Sequence, residues 1–314
     1  MKSIRIHAFG GTDVLQIDEV PTPLLEAGNV IVHTRAAGVN PIDWKTRQGG
    51  GAAMASEGLP LVLGWEMSGV VDSASAEVSI FQPGDAVMGL LNFPSPGRCY
   101  AEEVSASAGH LIHKPDNLSF AEAAALPLAG LTAWQALYDQ GHLREGMRVV
   151  ILAAAGGVGH LACQIALAAG AEVIAVASAS HHDYLRSLGI KHCVDYHTTD
   201  VAEMIQDADI VLDGVGGSTG AKAARCLSHN GILVTLPSRT AEEVIEAVVQ
   251  QGHRATGLRV APSHDQLESL LELTQDRKLK IQLEHRIPFE EVARAHTLSE
   301  SGRTRGKIVL TFKE

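Results

Sequence analysis

Hydrophobic and polar positions along the chain change rhythm twice. From Met1 to about Ala124 the apolar runs are short and β-like: SIRIHAF, then VLQIDEV closed by Pro21 and Pro23, then NVIVHTRAAGV closed by Asn40-Pro41. LVLGWEMSGVV, the turn from Phe81 to Asp85, AVMGLL and YAEEVSA continue the same pattern, which predicts a small, mostly antiparallel β-domain. Near Leu118 the text turns helical, opened by Ser119 with Glu122 three residues later in capping-box position. After Gly146 strand and helix alternate: RVVILAA, HLACQIALAAG, EVIAVAS, HDYLRSLG, HCVDY, ADIVLDGVG, AKAARCLSHNG, ILVTLPS. These strands rarely alternate with polar residues, so parallel strands buried on both faces are expected, in a doubly wound sheet. From Arg259 one amphipathic helix pattern, QLESLLELTQD, is followed by RIPFEEVARAHTLSESG and a closing strand KIVLTF whose β-character resembles the first part. The expectation is an α/β chain in three stretches, 1–125, 126–258 and 259–314.

Composition narrows the function classes. The chain has 314 residues, long enough for two cores, with 46% apolar and 19% charged positions. Aromatic residues supply only 4%, so the cores are expected to be aliphatic. Lys and Arg number 25 against 36 Asp and Glu, a net charge of −11 that offers no basic surface to nucleic acid or anionic lipid. Cys99, Cys163, Cys193 and Cys226 stand far apart, with neither disulfide nor zinc-ribbon spacing, which suits a reducing cytoplasm. The N-terminus lacks the apolar core of a signal peptide. The uncharged stretch from Val149 to Ala171 contains Gly156, Gly157, Gly159 and Gly170 and divides into strand and helix, so it does not read as a membrane span.

Candidate chemistry begins at Ala154-Ala155-Gly156-Gly157-Val158-Gly159, between an apolar strand and an Ala-rich helix. Small residues there let backbone N–H groups and a helix N-terminus approach a pyrophosphate, and Gly159 allows helix and strand to pack closely. About 20 residues on, NAD-specific sheets carry an acidic residue for the ribose hydroxyl. Here that position is Ala177, followed by Ser178, Ser180, His181 and His182, donors without a repelling carboxylate. The expected cofactor is NADPH, with Ser178, Ser180 and His182 toward the 2′-phosphate.

With these features in place, the chain resembles the medium-chain dehydrogenase/reductase superfamily in its zinc-free quinone oxidoreductase, zeta-crystallin-like branch. The resemblance is carried by AAGVNPIDWKTRQG, LGWEMSGVV, FQPGDAVMG, ALPLAGLTAWQAL, AAAGGVGHLACQIA and RGKIVLTF. It implies a GroES-like catalytic domain built from both chain ends, an inserted Rossmann domain and a cleft binding NADPH. Zinc alcohol dehydrogenases of the superfamily place a cysteine and a histidine where this chain has Asn40 and Trp65, and neither replacement suits Zn²⁺. No metal is therefore expected. Glu66 reads as a structural carboxylate.

The resemblance also implies site residues. Asn40, Pro41 and Asp43 match the segment lining the nicotinamide, and Lys45 stands where enone reductases carry a lysine and quinone reductases a tyrosine. Asn40, Asp43 and Lys45 are the expected catalytic residues. Tyr196 matches a 2′-phosphate contact, Lys307 a basic residue near the pyrophosphate, Thr132 a cleft-facing helix position, and Gly214 and Val215 the segment beneath the cofactor. The function expected is NADPH-dependent hydride transfer to a quinone or an α,β-unsaturated carbonyl. The alternatives are a non-catalytic, crystallin-like NADPH binder and an alcohol dehydrogenase. Superfamily members commonly pair Rossmann sheets edge to edge, and ATGLRVA reads as the edge strand of a homodimer.

Overall fold

The computed structural model describes residues 1–56 and 58–313, and the chain divides into two compact units. The first comprises Met1–Leu128, Ala261–Leu271 and Ile281–Glu314; the second comprises Ala129–Val260 and Glu272–Lys280. The tail therefore does not return wholly to the first unit, as the pattern had suggested. Segment 272–280 belongs with the second because the Gln164 side chain bonds both backbone groups of Lys280, accepting its N–H at 2.8 Å and donating to its carbonyl at 3.0 Å.

In chain order the first unit begins with β1 (Lys2–Ile6), β2 (Leu15–Glu19), β3 (Asn29–Val39), α1 (Pro41–Arg47), β4 (Leu61–Val62), β5 (Glu66–Ala74), β6 (Ala86–Leu90), β7 (Glu103–Ser107), β8 (Leu111–His113) and α2 (Phe120–Ala125). Helix α3 (Pro127–Trp134) spans the first boundary. The second unit holds β9 (Arg148–Leu152), α4 (Gly159–Ala168), β10 (Glu172–Val176), α5 (His182–Ser187), β11 (His192–Val194), α6 (Val201–Met204), β12 (Ala208–Asp213), α7 (Gly217–Ala223), β13 (Leu227–Thr235), α8 (Ala241–Gln250) and β14 (Arg254–Gly257). Helix α9 (His264–Gln275) leads back to β15 (Leu283–Pro288), α10 (Val292–Glu300) and β16 (Lys307–Thr311).

Among the described residues the first unit carries a small β2-β1-β4 sheet and a larger one ordered β15-β16-β3-β5-β6-β8, with β7 also on β3. All its pairings are antiparallel except β15 with β16. The second unit is a six-stranded parallel sheet ordered β11-β10-β9-β12-β13-β14. Its central strands are buried on both faces, with Val149, Val150, Ile151, Val211 and Leu233 fully enclosed, while the edge strands β11 and β14 are partly exposed. Burying such side chains contributes roughly 1.5–3 kcal/mol each, which is how an aliphatic core compensates for scarce aromatics.

Ser119 caps α2 as its sequence indicates: its hydroxyl accepts the Glu122 N–H at 3.3 Å, and Glu122 accepts the Ser119 N–H at 2.9 Å. Three local readings change. LVLGWEMSGVV is two strands, β4 and β5. AKAARCLSHNG is helical only through Cys226, because Leu227 already pairs with Ala208 and begins β13. RIPFEEV starts inside a strand, β15, which lies beside β16.

Candidate functional site

In the second unit, Leu152 on β9 pairs with Val176 on β10, and Val176 with Val194 on β11. The strand ends are thus level, and the loops at 153–159, 177–182, 195–197 and 214–216 emerge along one carboxyl edge, where doubly wound sheets bind ligands. In the first loop Ala154 and Ala155 are buried, while Gly156, Gly157 and Val158 are partly exposed ahead of α4. A Cβ on Gly159 would overlap the Ala153 carbonyl and lie 2.8 Å from the Ala154 Cα, so only glycine permits this helix–strand approach. His160, which the sequence reading passed over, is buried and donates from Nδ1 to the Gly156 carbonyl at 2.8 Å, pinning the loop. A loop of small residues at the start of a ten-residue helix fits a dinucleotide pyrophosphate.

The other cofactor candidates fall into two groups. Ser178 and Ser180 stand at the same edge with their hydroxyls 2.9 Å apart, and Tyr196 is 54% exposed with its ring 4.2 Å from that of His197. Gly214 and Val215 are exposed too. The turn they form is held by Asp213, another residue that sequence reading missed. One Asp213 oxygen accepts the Val215 and Gly216 N–H groups at 2.9 and 2.8 Å; the other accepts the Thr235 hydroxyl at 2.8 Å. Thr132 is half-buried on α3. Two expectations need correction. Ala177 is buried, so the outward position after β10 is Ser178. His182 turns Nε2 to the Ala177 carbonyl at 3.1 Å and holds the turn rather than offering that nitrogen to a phosphate.

In the first unit the corner from β3 into α1 is built on buried polar groups. Pro41 suits the first helical turn, and Asp43 accepts the Asn40 N–H at 2.7 Å, satisfying a donor at the helix start. The other Asp43 oxygen accepts the Gly64 N–H at 3.1 Å. Asn40 donates from Nδ2 to Glu66 Oε1 at 2.7 Å and accepts at Oδ1 from the Lys307 ammonium, which also donates to Glu66 Oε1 at 2.9 Å. Glu66 Oε2 accepts the Leu128 N–H at 2.7 Å. Space for Glu66 comes from Gly38, whose Cβ would overlap the carboxylate.

These contacts correct three expectations. Lys307 is only 3% exposed and its ammonium is engaged by Asn40 and Glu66, so it is neither a surface lysine nor a pyrophosphate ligand. Asn40 and Asp43 are likewise buried, with their side-chain oxygens directed inward; Asp43 holds the corner instead of facing an acceptor. Glu66 does accept a backbone N–H, but its other oxygen anchors the ion pair. Breaking a buried pair by removing one partner costs roughly 3–5 kcal/mol.

Burial pushes the Asp43 carboxyl up to about 7, aided by the Glu66 charge and opposed by the Asn40 N–H bond and the Lys307 ammonium. Tyr100 is close enough to act on Asp43, yet its buried hydroxyl has no partner at hydrogen-bond distance. Burial and the neighbouring carboxylates push the Cys99 thiol and Tyr100 phenol well up, so both stay neutral. Lys45 is partly exposed in the last turn of α1, with Nζ 5.6 Å from the centre of the Trp44 ring. Trp65 is buried, donates from Nε1 to the Ser95 carbonyl at 2.8 Å and meets Phe93 edge-on. Among the described residues no three His, Cys, Asp or Glu side chains are grouped to hold a metal ion, and no helix is long and apolar enough to cross a membrane.

Comparison with known proteins agrees with this architecture. Residues 26–133 match the alcohol dehydrogenase GroES-like domain family, and residues 188–310 match the zinc-binding dehydrogenase family. The quinone oxidoreductase from Coxiella burnetii superposes with a TM-score of 0.95, at 40% identity over 100% of this chain and 99% of that one. The mouse (Mus musculus) mitochondrial NAD(P)H oxidoreductase RTN4IP1 is 33% identical over 97% of this chain and 87% of that protein. The 2-methylene-furan-3-one reductase of Solanum lycopersicum is 32% identical over 99% of this chain and 79% of its own length. The chain belongs to the medium-chain dehydrogenase/reductase superfamily, in its quinone oxidoreductase-like branch, and is an NAD(P)H oxidoreductase of that kind.

Proposed function

We propose that this enzyme uses NADPH to reduce a quinone or an α,β-unsaturated carbonyl without a catalytic metal. The observation that carries the reading is Trp65. Where zinc-dependent relatives place a ligand, this chain buries an indole whose only polar group is committed to Ser95. Without a Lewis acid, simple alcohols are poor substrates, whereas quinones and enones already supply an electron sink. Bound NADPH would supply the hydride. Lys45, on the exposed side of α1, donates to the acceptor oxygen as negative charge gathers there. Ser178, Ser180 and Tyr196 receive the 2′-phosphate at the carboxyl edge of the sheet. The named relatives, a quinone oxidoreductase and an enone reductase, support both acceptor classes.

We also propose a homodimer joined through β14, and a reducing cytoplasmic setting, in keeping with four free cysteines. The function is tested by following NADPH oxidation in metal-free buffer over a panel of quinones and enones, with NADH in parallel. Turnover of at least one acceptor class, with NADPH preferred, is expected. Oxidation of simple alcohols dependent on added Zn²⁺, or NADPH binding with no acceptor turned over, would overturn the reading.

A further inference from the structure

We propose that Lys307 is a positioning residue of the acceptor end: its ammonium locks the Asn40 amide in one orientation and balances the buried carboxylates of Glu66 and Asp43 that hold the β3–α1 corner. This rests on reading that corner as the acceptor end. An ammonium only donates and a carboxylate only accepts, so Asn40 must turn Oδ1 to Lys307 and Nδ2 to Glu66; the flipped amide would lose both bonds. The placement of Lys307 is set by the sheet. Ile308 on β16 pairs with Val39, the residue before Asn40, and the Lys307 N–H is fixed to the Gln282 carbonyl at 2.8 Å. The closing strand of the chain thereby brings its cation to the start of α1.

The ammonium is bonded to the Glu66 carboxylate and acts on Asp43 through its charge alone. The other titratable groups facing Asp43 are Tyr100 and Cys99, both held neutral by burial. Burial raises Asp43 most and the Asn40 N–H bond opposes it; of the charged groups beside it, Glu66 disfavours its ionised form and Lys307 favours it. Asp43 accepts the N–H of Asn40 at the head of the helix that carries Lys45, so the balance held by Lys307 bears on how firmly that helix is presented.

The test uses Lys307→Met, Lys307→Arg and Glu66→Gln in the full chain. Side-chain carboxyls are titrated by carbon-13 NMR with labelled aspartate, the Asp43 signal being identified as the one lost in Asp43→Asn. The Asp43 midpoint is expected to rise in Lys307→Met, to fall in Glu66→Gln and to return toward wild type in Lys307→Arg. With NADPH and a quinone or enone, kcat should fall roughly 10- to 100-fold in Lys307→Met while KM changes little. Midpoints that stay fixed, or move the same way in Lys307→Met and Glu66→Gln, overturn the proposal whatever the turnover. Should Lys307→Met fail to fold, the Lys307→Met/Glu66→Gln double variant removes the unpaired charge; folded protein with low kcat is expected, and wild-type kcat would overturn the proposal. Wild-type enzyme inactive on both acceptors refutes the proposed function, while the carboxyl titration still judges Lys307.

Discussion

Arg47 Nη1 lies 3.3 Å from His296 Nδ1 in the interior of the first unit. Guanidinium only donates, so Nδ1 is the acceptor and the imidazole proton sits on Nε2. Arg47 also donates from Nε to the Gly10 carbonyl at 3.2 Å and from Nη2 to Glu300, tying α1 to α10 and to the N-terminal segment. Burial, with the Arg47 charge beside it, pushes His296 down to about 3.

That contact sets the first prediction. His296 binds a proton in the unfolded chain below about 6.5 but in the folded one only near 3, so its contribution is present above 6.5 and lost as pH falls toward 3. Asp43 acts oppositely: its contribution is present below 3.8 and lost as pH rises through about 7. Urea unfolding at pH 5 and pH 7 should find Asp43→Asn more acid-sensitive than wild type and His296→Asn less so. Parallel pH profiles in the two variants would contradict these assignments.

The proposed NADPH preference is tested at Ser178, the outward residue after β10. Ser178→Asp places a carboxylate where the 2′-phosphate is expected, and should weaken NADPH binding roughly tenfold while sparing NADH. Nucleotide fluorescence titration measures both. Equal loss for the two nucleotides would place the 2′-phosphate elsewhere.

Lys45→Met should lower kcat and kcat/KM together by roughly 10- to 1000-fold on an enone, less on a more electrophilic quinone, with NADPH affinity retained. Unchanged enone turnover would leave Lys45 a surface residue of α1. Equal losses on both acceptors would point to disturbed cofactor placement.

Metal independence is predicted from Asn40 and Trp65, whose side chains are committed to Glu66, Lys307 and Ser95. Elemental analysis of purified enzyme should find no stoichiometric zinc, and prolonged chelation should leave turnover unchanged. Activity lost to chelator and regained with Zn²⁺ would refute it.

Assembly is tested at β14, which pairs with β13 and ends the parallel sheet. Light scattering at micromolar concentration should give twice the 33.2 kDa chain mass. Thr256→Pro, which removes a backbone donor from the edge strand, should shift the mass toward the monomer. A monomeric wild type would rule the dimer out.

Local rules were enough for much of this molecule. Apolar runs with few polar interruptions indicated buried parallel strands, Ser119 and Glu122 marked a helix start, and the small residues from Ala154 to Gly159 marked the turn into α4, because each signal acts over a few residues of chain. The absence of zinc-type ligands at Asn40 and Trp65 was equally legible, since it depends on residue identity alone. The role of Lys307 was not. It lies 241 residues from Glu66 and 267 from Asn40, and nothing in RGKIVLTF distinguishes a surface lysine from a buried one. Only the pairing of β16 against β3 brings that cation to two buried acceptors. The fate of a polar side chain is decided by what other strands place beside it, so the interior network of Asn40, Asp43, Glu66, Lys307, Arg47 and His296 belongs to the tertiary structure.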